Sequence, residues 1–312
     1  MGSTWSMFFP PKPEWSVNEI PDLTGQVMIV TGGNTGIGKE TVKALLQHNA
    51  KVYIAGRTES RVLAAIKDLE AQTGKTAEFI RLDLADLNSV KHAAEEFKQK
   101  ETQLNVLFNN GGVMWPPLDQ LTSQNIDLVF GTNVLGHFYF TKLLLPTLLA
   151  TAAAGNTARI IHTSSSGALF HPQKDGINYN TLLDGPARTK AGAVYLYGQS
   201  KLGNVFVSNE LARRYGDQGI VSISLNPGNL RTELARHEKS QIKIKLISML
   251  CYPVPMGALT QLWAGTTKEA ASHNGGFLQP WARIGTLPSS STDPAACKAL
   301  WNWLEEQVAR VE

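Results

Sequence analysis

The chain has 312 residues, of which 43% are hydrophobic and 18% charged, with a formal net charge of +3 and two cysteines. It is long enough to bury a full core, as one large α/β domain or two small ones. The weak charge and the lack of a dense Lys/Arg tract argue against a nucleic-acid binder; Cys251 and Cys297, with no CxxC, argue against a disulfide scaffold and fit a reducing, cytoplasmic setting.

Residues 1–23 hold Trp5, Phe8, Phe9, Pro10, Pro11, Pro13 and Trp15. Prolines and acidic residues break what would otherwise resemble the apolar region of a signal peptide. The segment reads as an arm packed on the domain that follows (24–312), or as an interaction or membrane-touching segment. From there strand and helix signals alternate. Gln26 to Thr31 is a short apolar run ending in glycines, hence a buried strand, and Gly36 to Asn49 a helix. Lys51 to Ala55, Ala77 to Leu82 and Leu104 to Phe108 are strands; Glu59 to Gln72 and Asp86 to Lys100 are the helices between them. Leu121 to Ala152 is long enough for two consecutive helices. Arg159 to Thr163 is a strand, Val194 to Arg214 a helix, and Ile220 to Leu225 a strand ending at Asn226-Pro227-Gly228. Asp293 to Val311 is an amphipathic helix with Asp293 as N-cap and Pro294 at its first position.

This succession predicts an α/β fold: a doubly wound parallel sheet of about seven strands with helices on both faces. No apolar stretch is long and uninterrupted enough to span a bilayer. Two segments break the rhythm, Gly167 to Val194 and Arg231 to Pro255. Both follow strand carboxyl ends, where open α/β sheets bind ligands. In the second, Lys243 and Lys245 interleave with Ile242, Ile244 and Leu246, as a lid over an apolar ligand, a membrane-surface patch or plain packing.

Thr31-Gly32-Gly33-Asn34-Thr35-Gly36-Ile37-Gly38 joins the first strand to the first helix. Glycines there let the backbone approach an anion, and the free N–H groups of the helix start bind it. NAD-preferring sites carry a carboxylate after the second strand; here that strand ends Ile54-Ala55-Gly56-Arg57-Thr58. A guanidinium pairs bidentately with a phosphate, so Arg57, with Asn34 and Thr58, predicts a 2′-phosphate and hence NADP(H). Asp83, followed by Leu84, stands after the third strand, placed to accept from the adenine amino group.

Tyr197 and Lys201 lie four residues apart and share a helix face. An ammonium beside a phenol favours the phenolate; lowering a Tyr by about 3 pH units takes about 4 kcal/mol. A hydroxyl among Ser164, Ser165 and Ser166, at the end of the fifth strand, would sit in the ligand crevice and donate to a substrate oxygen. The histidines show no metal spacing and no metal site is expected. His162, inside a strand, reads as a satisfied core residue; His171 and His237 fall in the long loops. Met114 and Trp115 are candidates to line a substrate pocket, and Trp281 to close its far side.

These motifs together resemble the short-chain dehydrogenase/reductase family over roughly 23–287, most of all fungal members related to retinol dehydrogenases. The family's TGxxxGxG stands at Thr31 to Gly38. Its NNAG stands at Asn109-Asn110-Gly111-Gly112, with Gly111 in place of Ala, and its PGxxxT at Pro227-Gly228-Asn229-Leu230-Arg231-Thr232. Its Asn matches Asn133, its Tyr and Lys match Tyr197 and Lys201, and its Ser falls on Ser165, with Ser164 one residue away. The resemblance implies a Rossmann fold in which Tyr197 is general acid or base and Lys201 holds the nicotinamide ribose. It implies that Ser165 orients the substrate carbonyl and Asn133 anchors a proton-relay water. Gly32, Asn34, Thr35, Gly36, Ile37, Gly38, Arg57, Asp83, Leu84, Asn110, Gly111, Pro227, Gly228, Leu230 and Thr232 would line the cofactor. It also implies a homodimer paired through two helices, unless the arm covers that face. The expected activity is NADP(H)-dependent interconversion of a lipophilic ketone or aldehyde and its alcohol, with a non-catalytic NADP-binding module as the alternative.

Overall fold

A computed structural model of the chain describes residues 6–7, 9–170, 176–230 and 251–311. Within them eight strands form one sheet: β1 (Val27–Thr31), β2 (Lys51–Gly56), β3 (Glu78–Arg81), β4 (Val106–Asn109), β5 (Ala158–Thr163), β6 (Ile220–Leu225), β7 (Phe277–Gln279) and β8 (Arg283–Gly285). Their order is β3-β2-β1-β4-β5-β6-β7-β8, with every neighbouring pair parallel except β7 and β8. The order reverses between β1 and β4, which places the ligand crevice at the carboxyl ends of those strands. The expected count of about seven is exceeded by the antiparallel β8, too short and too mixed in sequence to stand out.

The strands alternate between two apolar clusters, as a pleat of period two requires. In β1, Val27 and Ile29 join the cluster under α3 (Leu87–Lys100), α4 (Leu128–Ala153), α5 (Pro186–Tyr215) and α7 (Pro294–Val308), whereas Met28 and Val30 face α1 (Gly36–Gln47), α2 (Glu59–Thr73) and α6 (Val254–Thr266). Asp86 and Asp293 cap α3 and α7 by accepting from backbone N–H groups of Asn88 and of Ala295 and Ala296.

One helix expectation is corrected. Residues 121–127 are not helical: Leu121 bridges to Asp127, whose carboxylate accepts from Phe130 N and so starts the helix. From Leu128 to Ala153 one helix runs on through a π-helical stretch, Gly131–Leu135. It is apolar enough to cross a membrane, but most of it is buried in the core. The helix expected from Val194 follows a break at Gly192 (φ 77°), and a short helical segment from Pro186 precedes that break within α5.

The arm packs onto the domain through Met7, Ile20 and Leu23, all buried, and the carbonyl of Ser6 accepts from Arg283 Nη2 at 2.9 Å. Helix α7 lies across α4: Trp301 stacks edge-on against Phe138 (4.9 Å between centroids), Trp303 against Phe130, and Glu305 pairs with Lys142 at 2.7 Å. Neither cysteine forms a disulfide.

Candidate active site

A cleft of about 600 Å³ opens at the carboxyl ends of β1, β2 and β4, lined among others by Gly32, Asn34, Thr35, Gly56, Asp83, Leu84, Gly111 and Thr132. At one end the first turn of α1 faces it. Thr35 precedes that helix and its side chain makes no capping bond, so the leading N–H groups are left for a ligand. The glycines are there for space. Gly32 takes φ +65°, and a Cβ on it would press on the Gly111 backbone. A Cβ on Gly38 would strike the carbonyl of Gly32 and come within 2.7 Å of Asn110 Nδ2. Asn110 itself donates through Nδ2 to Thr31 O at 2.9 Å, which fixes the two turns against each other. A Cβ on Gly111, which stands in place of the family's Ala, would meet Leu84 Cδ1 at 3.2 Å and Thr31 Oγ1 at 3.3 Å.

The cleft is also lined by Arg57, Thr58 and two cations that the sequence reading passed over, Lys39 and Arg61. Arg61 lies four residues after Arg57, one turn into α2, and Lys39 follows directly on Gly38; their spacing from the recognised motifs was the available signal. Arg57 is exposed, with Nη1 4.0 Å from Asp83 Oδ2, and Asp83 Oδ1 accepts from Ala85 N at 3.0 Å. Lys39 pairs with Asp68 at 2.5 Å.

The catalytic candidates meet where β5 ends against α5. Lys201 Nζ donates to Thr163 O at 2.9 Å and lies 5.7 Å from the Tyr197 ring centroid. Tyr197 hydrogen-bonds the Ser165 side chain, and Gly167 lies beside both. The serine alternative resolves by geometry: Ser164 Oγ is buried and donates to the main-chain oxygen of Lys201 at 2.7 Å, holding the helix, whereas Ser165 faces the phenol. Asn133 is fully buried in the π-helical stretch. Its Oδ1 accepts from Val113 N (2.9 Å), and its Nδ2 donates to Val113 O (3.1 Å) and Ser200 Oγ (3.0 Å). A Cβ on Gly112 would meet Asn133 Oδ1 and stand 3.8 Å from Lys201 Nζ, so Met114 and Trp115 follow immediately from the catalytic side. Trp115 takes φ +53°, unusual for so large a residue, and its buried indole N–H has no partner.

Electrostatics overturn one expectation. Burial pushes Tyr197 up to about 12, only partly opposed by the Ser165 hydrogen bond, and pushes Lys201 down to about 8. The phenol is therefore not lowered in the protein alone: desolvation disfavours the charged form of each group. Pro227, Gly228 and Leu230 form the loop after β6. Gly228 takes φ +93°, and a Cβ there would collide with the Trp281 ring. Trp281 is buried behind that loop, edge-on to Tyr252, rather than closing a pocket. Leu230 covers Gly257 beside Ile37. Thr232, His171, His237 and the 242–246 stretch lie outside the described residues.

His162 is buried as expected, but its Nε2 has no partner, so it is not a satisfied core residue. Burial holds His137 at about 4 and His162 at about 3, each further depressed by a neighbouring positive charge. The unfolded chain takes up a proton on each near pH ~6.5, so their neutral burial favours the fold fully above that value. That contribution is lost as the pH falls from about 6.5 towards 4 and 3. The two together should cost about 4 kcal/mol between about pH 7.5 and 5. Urea midpoints measured across that range should fall accordingly, and His162→Phe should remove about half of the slope. A midpoint independent of pH in this interval would mean that these imidazoles are not held neutral.

Residues 26–181 match the short chain dehydrogenase family model. A short-chain dehydrogenase/reductase of Armillaria gallica is 56% identical over 310 residues, 98% of this chain and 99% of that protein. Among solved structures, Pseudomonas aeruginosa RhlG in complex with NADP superposes at a TM-score of 0.64 with 25% identity, over 83% of this chain and 95% of that one. The 3-ketoacyl-(acyl-carrier-protein) reductase of Brucella melitensis, complexed with NADH, superposes at 0.63 with 22% identity, over 82% and 96%, a likeness of fold.

Proposed function

This chain belongs to the short-chain dehydrogenase/reductase family, an oxidoreductase family, and we propose that within it the protein is an NADP(H)-dependent carbonyl reductase for lipophilic ketones or aldehydes. The observation that carries the reading is the meeting of Tyr197, Ser165 and Lys201 beside Gly112, a residue of the same cleft that Arg57, Arg61 and Lys39 line. The residues present fit a dinucleotide phosphate: a glycine turn with no room for a Cβ, open N–H groups at a helix start, and three cations. Arg57 and Arg61 would hold the 2′-phosphate, Gly36 to Gly38 the pyrophosphate, and Lys201 the nicotinamide ribose, with Asn110, Gly111, Pro227, Gly228, Leu230 and Thr232 around the ring.

When bound, the cofactor supplies hydride to the carbonyl carbon. The protein's part is to polarise the carbonyl oxygen and deliver a proton to it. Ser165 Oγ and the Tyr197 hydroxyl, hydrogen-bonded to each other, would together take that oxygen. Burial keeps the Tyr197 phenol protonated at neutral pH, so in reduction its hydroxyl is the proton donor. Met114 and Trp115 give the substrate side an apolar wall. Lys201, at about 8, stays cationic in neutral solution and keeps the proton path charged.

Titration with NADPH and with NADH, followed by protein fluorescence, tests the cofactor. NADPH should bind the more tightly. Arg57→Ala should weaken NADPH by about tenfold or more while moving NADH by less than about twofold, the size of a lost charge-assisted hydrogen bond. NADH preference, or equal effects of Arg57→Ala on the two, would remove NADP from the reading.

A further inference from the structure

We propose that His137 is a positioning residue that ties the cofactor-side turn to the proton-handling side of the site through a single imidazole tautomer. The inference rests on the reading above for its function, not for its geometry. His137 is buried in α4, one turn after Asn133. Its Nδ1 lies 3.0 Å from Asn133 O, and its Nε2 lies 2.8 Å from Thr31 Oγ1. A carbonyl oxygen only accepts, so the ring proton is on Nδ1. Nε2 is then an acceptor, and the Thr31 hydroxyl donates to it at 2.8 Å in preference to its other acceptor, Phe108 O, at 3.3 Å.

That assignment leaves nothing in the network free to turn. With its proton committed to His137, Thr31 Oγ1 accepts from Asn110 N at 2.9 Å and from Gly111 N at 2.8 Å. The sequence of bonds thus runs from the Asn110-Gly111 turn, through Thr31 and His137, to the main chain of Asn133. From there the Asn133 amide reaches Ser200, whose Oγ donates to Tyr197 O at 2.8 Å. Ser200 also precedes Lys201. One ring therefore connects the strand end that carries the glycine turn to the helix that carries Tyr197 and Lys201. Burial and the charge of Lys201 from α5 disfavour a second proton on the ring, against the opposing bond to Asn133 O; His162 from β5 is the other titratable group nearby, and His137 depresses it in turn. The tautomer is accordingly held in neutral form, as a tether that is donor at one end and acceptor at the other must be. Asn133 sits in a π-helical stretch, where the regular i to i−4 bonding is displaced and a side-chain bond to its carbonyl has most to hold in place.

The two ends of the ring can be cut separately. In His137→Asn the amide nitrogen replaces Nδ1 and keeps the bond to Asn133 O, but nothing reaches Thr31. In His137→Gln the amide oxygen replaces Nε2 and keeps Thr31, but the bond to Asn133 O is lost. NADPH dissociation constants come from fluorescence, and kcat from decanal reduction followed by NADPH consumption. His137→Asn should lose mainly NADPH affinity, by about tenfold, and His137→Gln mainly kcat, by a similar factor, each matching one hydrogen bond of about 1.4 kcal/mol. Equal losses of both quantities in the two folded variants, or no loss in either, would overturn the positioning role. If the variants do not fold, imidazole nitrogen NMR of the wild-type protein decides. A neutral Nδ1–H tautomer that resists protonation to about pH 5 is expected, and an Nε2–H tautomer or titration near pH ~6.5 overturns the proposal. Wild-type protein that binds no NADPH would instead sink the proposed function, leaving the NMR result to decide the tether.

Discussion

Tyr197→Phe should lower turnover of a lipophilic aldehyde such as decanal by about 10³-fold or more, at the upper part of the range for a general acid, while NADPH affinity stays within about twofold. The substitution removes one oxygen and keeps the ring, so the packing beside Gly167 and the helix that bears Lys201 are retained. Lys201 Nζ is held by Thr163 O independently of the phenol. What disappears is the proton that the carbonyl oxygen needs as hydride arrives, and with it half of the hydrogen bonding that Ser165 shares with that oxygen. An interaction made only as charge develops on the oxygen appears in kcat and not in cofactor binding. Single-turnover mixing of enzyme, NADPH and decanal separates the two. If Tyr197→Phe kept more than about a tenth of the wild-type rate, Tyr197 would not be the acid. If NADPH affinity collapsed instead, the phenol would be a structural part of the cofactor site.

Much of this layout was legible because it rests on local rules. The glycine turn between β1 and α1, the Tyr197 and Lys201 spacing, and the Asp293 cap each depend on a few neighbouring residues. What was not legible depends on backbone continuity or on approach in space. Ser164 and Ser165 are indistinguishable as neighbours in sequence; they separate only because a strand end turns one hydroxyl onto Lys201 O and the other onto Tyr197. His137 stands four residues after Asn133, but its importance needs the helix to pass unbroken from Leu128 through a π-helical turn that no residue pattern announces. Arg61 and Lys39 look like ordinary solvated charges until β2 and β1 bring their helices to one cleft. The expected lowering of Tyr197 rested on the positive charges near it, Lys201 and a cationic nicotinamide, whereas burial of both side chains pushes the phenol up and the ammonium down.

The other large effect is expected at Gly38. Gly38→Ala should weaken NADPH binding by about 100-fold or more and destabilise the fold by about 1–3 kcal/mol, the usual cost of forcing a methyl into a filled space. The new Cβ has no direction to yield. It meets the Gly32 carbonyl oxygen, its carbon at 2.9 Å, and Asn110 Nδ2 at 2.7 Å. Two of these atoms are backbone, and the third already donates to Thr31 O. Relief requires α1 to lift from the β1 turn, which moves the open N–H groups of its first turn away from any phosphate they would hold. Gly74→Ala is the matched control. Gly74 ends α2 with φ +70°, has no atom within 4 Å of its Cβ position, and does not line the cleft. It should lose about 1 kcal/mol of stability from backbone strain alone and bind NADPH as the wild type does. Calorimetric NADPH titration of both variants, alongside their urea midpoints, divides the effects. A Gly38→Ala protein that binds NADPH normally would show that the first turn of α1 is not the phosphate cradle.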